Sequence, residues 1–255
     1  MPLTFPAHQG LIAPIKIRWP QKLDATALCI AAAAPDFAYP LGAWLNHQSH
    51  TVIGLLAWAI PFTILSTKIV RWRAANGIFA YMPDLGPLRL RSYRVLSNRK
   101  PNFLTTVTST ILGASSHVLI DGFSHSGRWG ANLLNLNDEI GTIPFRGTLT
   151  IARSIQYFGH LFGSLSFILL LLYIAKTRRL EKWYGQKEVQ NARKITTNRK
   201  HQTLFWLITL APPLISMFIA SRTNNSIIFL PITTLVISIL LAGTLLSPLN
   251  NKNIN

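Results

Sequence analysis

The chain has 255 residues, 49% hydrophobic and only 13% charged, and its apolar residues fall in long blocks, a pattern that excludes an ordinary soluble domain. The net charge of +17 is concentrated: of 25 Lys and Arg, 8 lie in Lys68–Lys100 and 9 in Lys176–Lys200, between apolar stretches. That placement fits cytoplasmic loops against anionic lipid under the positive-inside rule, and no aromatic-interleaved platform argues for nucleic acid.

Met1 to Lys22 is polar and marked by prolines, with His8 inside it. It lacks a basic region leading into an apolar core, so no cleavable signal is expected. Asp24 is a natural N-cap for a short helix through Ala34, about ten residues and too short to span alone. The single cysteine, Cys29, excludes an internal disulfide and a cysteine-rich zinc knuckle, and its apolar neighbours point to burial. Pro35 ends this helix. Asp36 follows in Ala-Pro-Asp-Phe, where a turn residue and a chemical group are both admissible.

Leu41 to Ser49 reads as a loop, leaving His50 at the mouth of an apolar span, Thr51–Val70, interrupted by Pro61. Arg71–Lys100 reads as a basic loop with a rigid turn at Pro83–Pro87, and Asp84 within it is assigned no chemistry. Phe103 to Asp121 is a helix whose Thr and Ser content suits packing among other helices.

Its end carries the most informative stretch, Ser115 to His125. On a helix four residues advance about 400° and about 6 Å, so His117, Asp121 and His125 share one face. Such a face can hold one divalent metal, and Asp121 in the middle can bridge two. The alternative is a polar stripe with Asp121 hydrogen-bonded. Apolar flanks favour function, because ionisable groups are rare in membrane segments. A break at Gly122 would take His125 off the ladder while keeping it close.

Gly122 to Thr150 reads as a connection. Ile151 to Tyr173 is helical, with Gln156 and His160 again four apart. Lys176 to Lys200 reads as a helical extension and a polar loop. Leu204–Ala220, kinked at Pro212-Pro213, and Ile227–Ser247 form a hairpin across Arg222-Thr223-Asn224-Asn225. Neither span carries a chemical group. The expectation is an all-α, multi-spanning bundle: residues 1–175 with the site, a basic loop at 176–203, and a membrane hairpin at 204–255.

With both basic loops inside, His50, Asp121, His125, Gln156 and His160 fall at the outer membrane boundary, and Asp36 joins them across Tyr39–Ser49. His8 depends on the short helix: if it dips and returns His8 joins the others, and if it crosses His8 stays inside.

The ordered set His8, Pro35-Asp36, His50 and His117-x3-Asp121-x3-His125 resembles an uncharacterised bacterial membrane family related to predicted metal-dependent hydrolases of the inner membrane. The likeness covers Met1 to Tyr173, with Pro-Leu-Thr-Phe-Pro-Ala-His and Ala-Pro-Asp-Phe as its marks. More distantly the order is similar to the zinc-dependent phospholipase C and P1 nuclease superfamily. That resemblance implies Asp36, His50, His117 and Asp121 around one metal, zinc by analogy, His8 joining Asp121 at a second, and His125 at a third. The superfamily's N-terminal Trp ligand has no counterpart here, and its closing His-x3-Glu stands as Gln156-x3-His160. The resemblance implies hydrolysis of a phosphoester, with Asp36 positioning or deprotonating water and a lipid headgroup as natural substrate. Two other classes remain: a transporter or ion pathway, and a non-catalytic membrane protein with a vestigial site.

Overall fold

In a computed structural model the chain is mostly helical, and residues 5–144, 147–195, 197–222 and 229–248 are described. The described helices are α1 (Ala7–Ile12), α2 (Ile15–Arg18), α3 (Ala25–Ala31), α4 (Ala43–Ser49), α5 (Val52–Tyr81), α6 (Phe103–Ser124) and α7 (Trp129–Leu133). After the strands β1 (Glu139–Ile143) and β2 (Gly147–Thr150) come α8 (Ile151–Lys176), α9 (Arg179–Tyr184), α10 (Gln186–Arg193), α11 (Arg199–Arg222) and α12 (Phe229–Leu245). Single 3₁₀ segments span Asp36–Leu41 and Leu90–Asn98. Four helices are long and apolar enough to cross a bilayer, namely α5, α6, α8 and Arg199–Ser221 of α11; Leu230–Leu245 is shorter.

Two compact units emerge among the described residues, one within Leu3–Ile64 and Asn102–Leu170, the other within Leu65–Pro101 and Leu171–Asn255. The first holds every candidate ligand. Its centre is α3 against α6, joined by small residues. A Cβ on Gly113 would stand 2.5 Å from the Leu28 carbonyl oxygen and 2.8 Å from the Ala31 Cβ, so only glycine permits the approach. Ala31, Ala34, Ala59 and Ala114 are fully buried there, covered by Leu55, Trp58 and Phe62.

The polar clamp at the start of α3 is Asp24. Its Oδ1 accepts from the Thr26 and Ala27 amides, as expected of an N-cap, and its Oδ2 accepts from the Thr106 hydroxyl of α6 at 2.9 Å. The Asp24 amide in turn donates to Ser109 Oγ at 2.8 Å. Thr106 and Ser109 of α6 are therefore spent on docking α3.

The same device seats α1 on α8. A Cβ on Gly10 would lie 1.8 Å from the Gly163 carbonyl oxygen, and one on Gly163 would lie 2.4 Å from that of Ala7. The second unit is built around Tyr81, Phe205, Ala80 and Ala242, with the Tyr81 and Phe205 rings stacked at 5.2 Å.

Several sequence expectations need correction. The structure is not purely α: within the expected connection, β1 and β2 pair antiparallel, Gly141 opposite Leu149 and Ile143 opposite Gly147. The segment 41–49 is not a loop, since α4 occupies most of it. The span entered at Val52 does not stop at Val70; Arg71 and Arg73 extend it to Tyr81, because arginine is a good helix former whose charge reaches outward from the backbone. Wide π turns sit at Leu55–Ala59, just before Pro61, and at Val70–Ala74. Proline offers no N–H, so the backbone shifts register there: Ile60 donates to the Leu55 carbonyl. The helix of α3 closes at Ala31, three residues before Ala34. Cys29 is half-buried, not buried. The expected turn at Arg222–Asn225 lies, from Thr223, outside the described residues, as do Met1 to Thr4.

Candidate metal centre

Helix α6 runs unbroken through Gly122 to Ser124, so His117 and Asp121 lie one above the other and His125 occupies the C-cap. The Gly122 position is needed for a close approach: a Cβ there would meet the Trp129 indole at 2.6 Å. His117 is fully buried and Asp121 nearly so.

Two separate segments complete the cluster. Pro35 ends the turn after α3 and leaves Asp36 at the head of a 3₁₀ segment; the Trp58 indole pins that turn by donating to the Ala34 carbonyl at 2.9 Å. His50 caps the C-terminus of α4, and Ser49 ties it back by donating to the Pro35 carbonyl at 2.9 Å. Asp36, His50, His117 and Asp121 form a group that can hold a metal ion, with one ligand atom from each within 4.8 Å of the others.

The separations are specific. His50 Nε2 lies 3.3 Å from His117 Nε2, 3.4 Å from Asp36 Oδ1 and 3.4 Å from Asp121 Oδ2. His117 Nε2 lies 3.5 Å from each of the same two oxygens. Donors at the corners of a tetrahedron around a metal at about 2.05 Å stand about 3.3 Å apart. Five separations between 3.3 and 3.5 Å therefore match the edges of a four-coordinate metal shell.

Both imidazoles are oriented by backbone carbonyls. His117 Nδ1 donates to the Ala32 carbonyl at 2.8 Å, and His50 Nδ1 to the Asn46 carbonyl at 2.8 Å. Each Nε2 therefore carries its lone pair toward the cluster, the arrangement that fixes the tautomer of metal-binding histidines.

The remaining candidates gather on the other oxygen of Asp121. His8 Nε2 stands 3.4 Å and His125 Nδ1 3.6 Å from Oδ1. The His8 ring stacks on His117 with centroids 4.0 Å apart, which places His8 with the others. Among the described residues Asp121 Oδ1 and His8 Nδ1 have no hydrogen-bond partner although both are buried. An unpaired buried carboxylate oxygen costs several kcal/mol unless a proton or cation meets it. Gln156 Nε2 donates to His125 Nε2 at 2.7 Å, which leaves the ring N–H on Nδ1, facing Asp121. His160 stands further out. Its ring lies 6.5 Å from that of His8, and Nε2 has no hydrogen-bond partner among the described residues.

The charges follow the geometry. Burial opposes ionisation of Asp36, but His117 and His50 outweigh it and hold the carboxyl well below its usual range. Burial works against imidazolium at His50 too, yet Asp121 and Asp36 leave its pKa above the ordinary histidine value. His8 is lowered by burial and by neighbouring His117, and burial pushes His125 down to about 4. Asp36 is the accessible member: its side chain is 17% exposed, against 0% for His50 and His117 and 2% for Asp121.

The orienting carbonyls of Ala32 and Asn46 left no trace in residue type. Tyr39, whose ring meets His50 edge-on with centroids 6.2 Å apart, had only its nearness to Asp36 as a signal. Asp84, assigned no chemistry, stands away from these residues in sequence and unit, accepting from Arg193 Nη2 at 3.0 Å and from the Arg91 amide.

A family model described as Domain of unknown function (DUF4184) matches residues 1–248, past the expected limit at Tyr173 and through α11 and α12, and the chain belongs to that family. No curated protein and no solved structure matches the chain.

Proposed function

We propose that this DUF4184 protein is a membrane-bound, metal-dependent hydrolase of phosphoesters, acting on lipid headgroups. The observation that carries the reading is the set of 3.3–3.5 Å separations among two imidazole Nε2 atoms and two carboxylate oxygens. Mixed His and Asp ligands of this kind suit zinc or a similar divalent ion. Asp121 Oδ1, without a hydrogen-bond partner among the described residues, together with His8 and His125 beside it, would hold a second ion. A divalent metal held there would, by admitting water at a fifth position, lower the pKa of that water to about 7 and offer charge to a phosphoryl oxygen.

The chain's own residues divide the remaining work. His50 and His117 present Nε2 in one fixed tautomer because Asn46 and Ala32 hold each Nδ1–H. Asp121, buried between two imidazole sets, gathers charge from both sides. Asp36 stays ionised at neutral pH and is the exposed edge of the cluster. We assign it to orienting the attacking water by accepting a hydrogen bond, since a carboxylate so acidic is a weak base. Lipid headgroups are the favoured substrate because the cluster lies in a unit whose helices are long and apolar enough for a bilayer.

The test is hydrolysis by purified protein stripped with chelator and reloaded with Zn²⁺ or Mn²⁺, using a chromogenic phosphodiester and short-chain phospholipids. Cleavage that returns with metal and disappears in Asp36→Asn supports the reading. Fully loaded protein that cleaves neither substrate class contradicts it.

A further inference from the structure

A second polar constellation lies in the other unit. Arg94, on the 3₁₀ segment Leu90–Asn98, is only 8% exposed. Its Nε and Nη2 donate to Asn76 Oδ1 at 3.0 and 2.6 Å, and its Nη1 donates to the Ala192 carbonyl at 2.5 Å. Asn76 is fixed in turn, because its Nδ2 donates to Ser247 Oγ and to the Pro248 carbonyl, both at 2.9 Å. With both amide hydrogens used, Oδ1 has one direction to face, and that is Arg94.

Among the described residues every partner of the guanidinium is neutral. No carboxylate pairs with it among the described residues, and of five N–H bonds three are engaged, leaving one on each terminal nitrogen. A buried positive charge held only by neutral groups is poorly compensated. It also faces space. Arg94, Asn76, Ser97, Asn98, Glu188 and Asn191 line a cavity of about 230 Å³, against the ~15 Å³ needed for one water. The unit around it carries 19 of the 25 Lys and Arg and three of the eight Asp and Glu.

We propose that this cavity is a binding site for a phosphate group, carried either by an anionic lipid headgroup or by the free ion. Arg94 supplies the fixed charge and one N–H on each terminal nitrogen, and the amides of Asn98 and Asn191 supply neutral donors. Glu188 is the one carboxylate lining the cavity and weakens the site by repulsion; it is exposed and on the first turn of α10. This site is independent of the hydrolase reading, because it shares no residue with the metal cluster.

The experiment is calorimetric titration of the purified full-length protein in detergent, at fixed ionic strength, with inorganic phosphate and separately with dihexanoyl phosphatidylglycerol. One saturable site per chain is expected for at least one probe. Phosphate binding as tightly as the lipid identifies the free ion, and lipid binding tighter identifies the headgroup. Arg94→Lys keeps a charge but loses the fixed N–H donors of the guanidinium, and should weaken binding about tenfold or more. The rim variants leave the buried network intact: Glu188→Gln should tighten binding about threefold, and Asn191→Leu should weaken it by a similar factor. The proposal is overturned if neither probe binds saturably, or if both rim variants bind as the unaltered protein does.

Discussion

The two oxygens of Asp121 serve different histidines: Oδ2 lies 3.4 Å from His50 and 3.5 Å from His117, while Oδ1 lies 3.4 Å from His8. One carboxylate thus joins three segments far apart in sequence, and its neighbours define which substitutions matter.

The pH dependence of metal binding follows from His50. Its pKa in the metal-free protein lies above 6.5, so below that raised value a proton must leave before Nε2 can bind metal. Affinity should fall as the pH drops through that raised pKa, with one proton released per ion from this group. Asp36, held ionised, and His125, with a pKa of about 4, add no slope between pH 5 and 8. Metal titrations at several pH values in two buffers of different ionisation enthalpy measure both quantities. An affinity independent of pH from 5 to 8 would contradict the assignment.

Two glycines on α8 should respond in opposite directions. A Cβ at Gly163 would meet the backbone of Ala7 at 2.4 Å, so Gly163→Ala should push α1 and His8 away and destabilise by about 1–3 kcal/mol. Nothing lies within 4 Å of a Cβ at Gly159, and Gly159→Ala should gain up to about 1 kcal/mol from helix propensity. Denaturation of both variants in the same detergent checks the contrast.

Asp24 is a second carboxylate that is buried, but its work is structural. Asp24→Ala removes the N-cap of α3 and leaves the Thr106 hydroxyl without its acceptor. A loss of about 1–3 kcal/mol is expected, with metal content per folded molecule unchanged. Metal loss in a folded Asp24→Ala protein would mean that the seating of α3 also sets the ligand geometry.

Much of the centre was legible because helical spacing is legible. His117, Asp121 and His125 fall at steps of four, and the apolar flanks of α6 make a polar face there informative. Asp36 and His50 were visible as residue types next to a proline and a span, yet their meeting with His117 depends on α3 docking at Gly113, which no local pattern encodes. The short strands stayed hidden for another reason. Glu139 to Ile143 is almost wholly exposed and shows no inside–outside alternation. Arg71 and Arg73 look like a stop because they are charged, yet α5 continues through them, since arginine favours helix and only its tip needs water.

The most direct test is the metal content of the purified protein. The unaltered chain, prepared without chelator and analysed by inductively coupled plasma mass spectrometry, should carry at least one equivalent of divalent metal. Asp121→Asn keeps the shape of the side chain and removes the charge between the two histidine sets, so it should lose most of that metal while still inserting and folding. Asp84→Asn, in a surface pair with Arg193, should keep it all. If Asp121→Asn retains full metal, or the unaltered protein holds none after incubation with Zn²⁺ or Mn²⁺, the cluster is not a metal centre and the hydrolase reading falls with it.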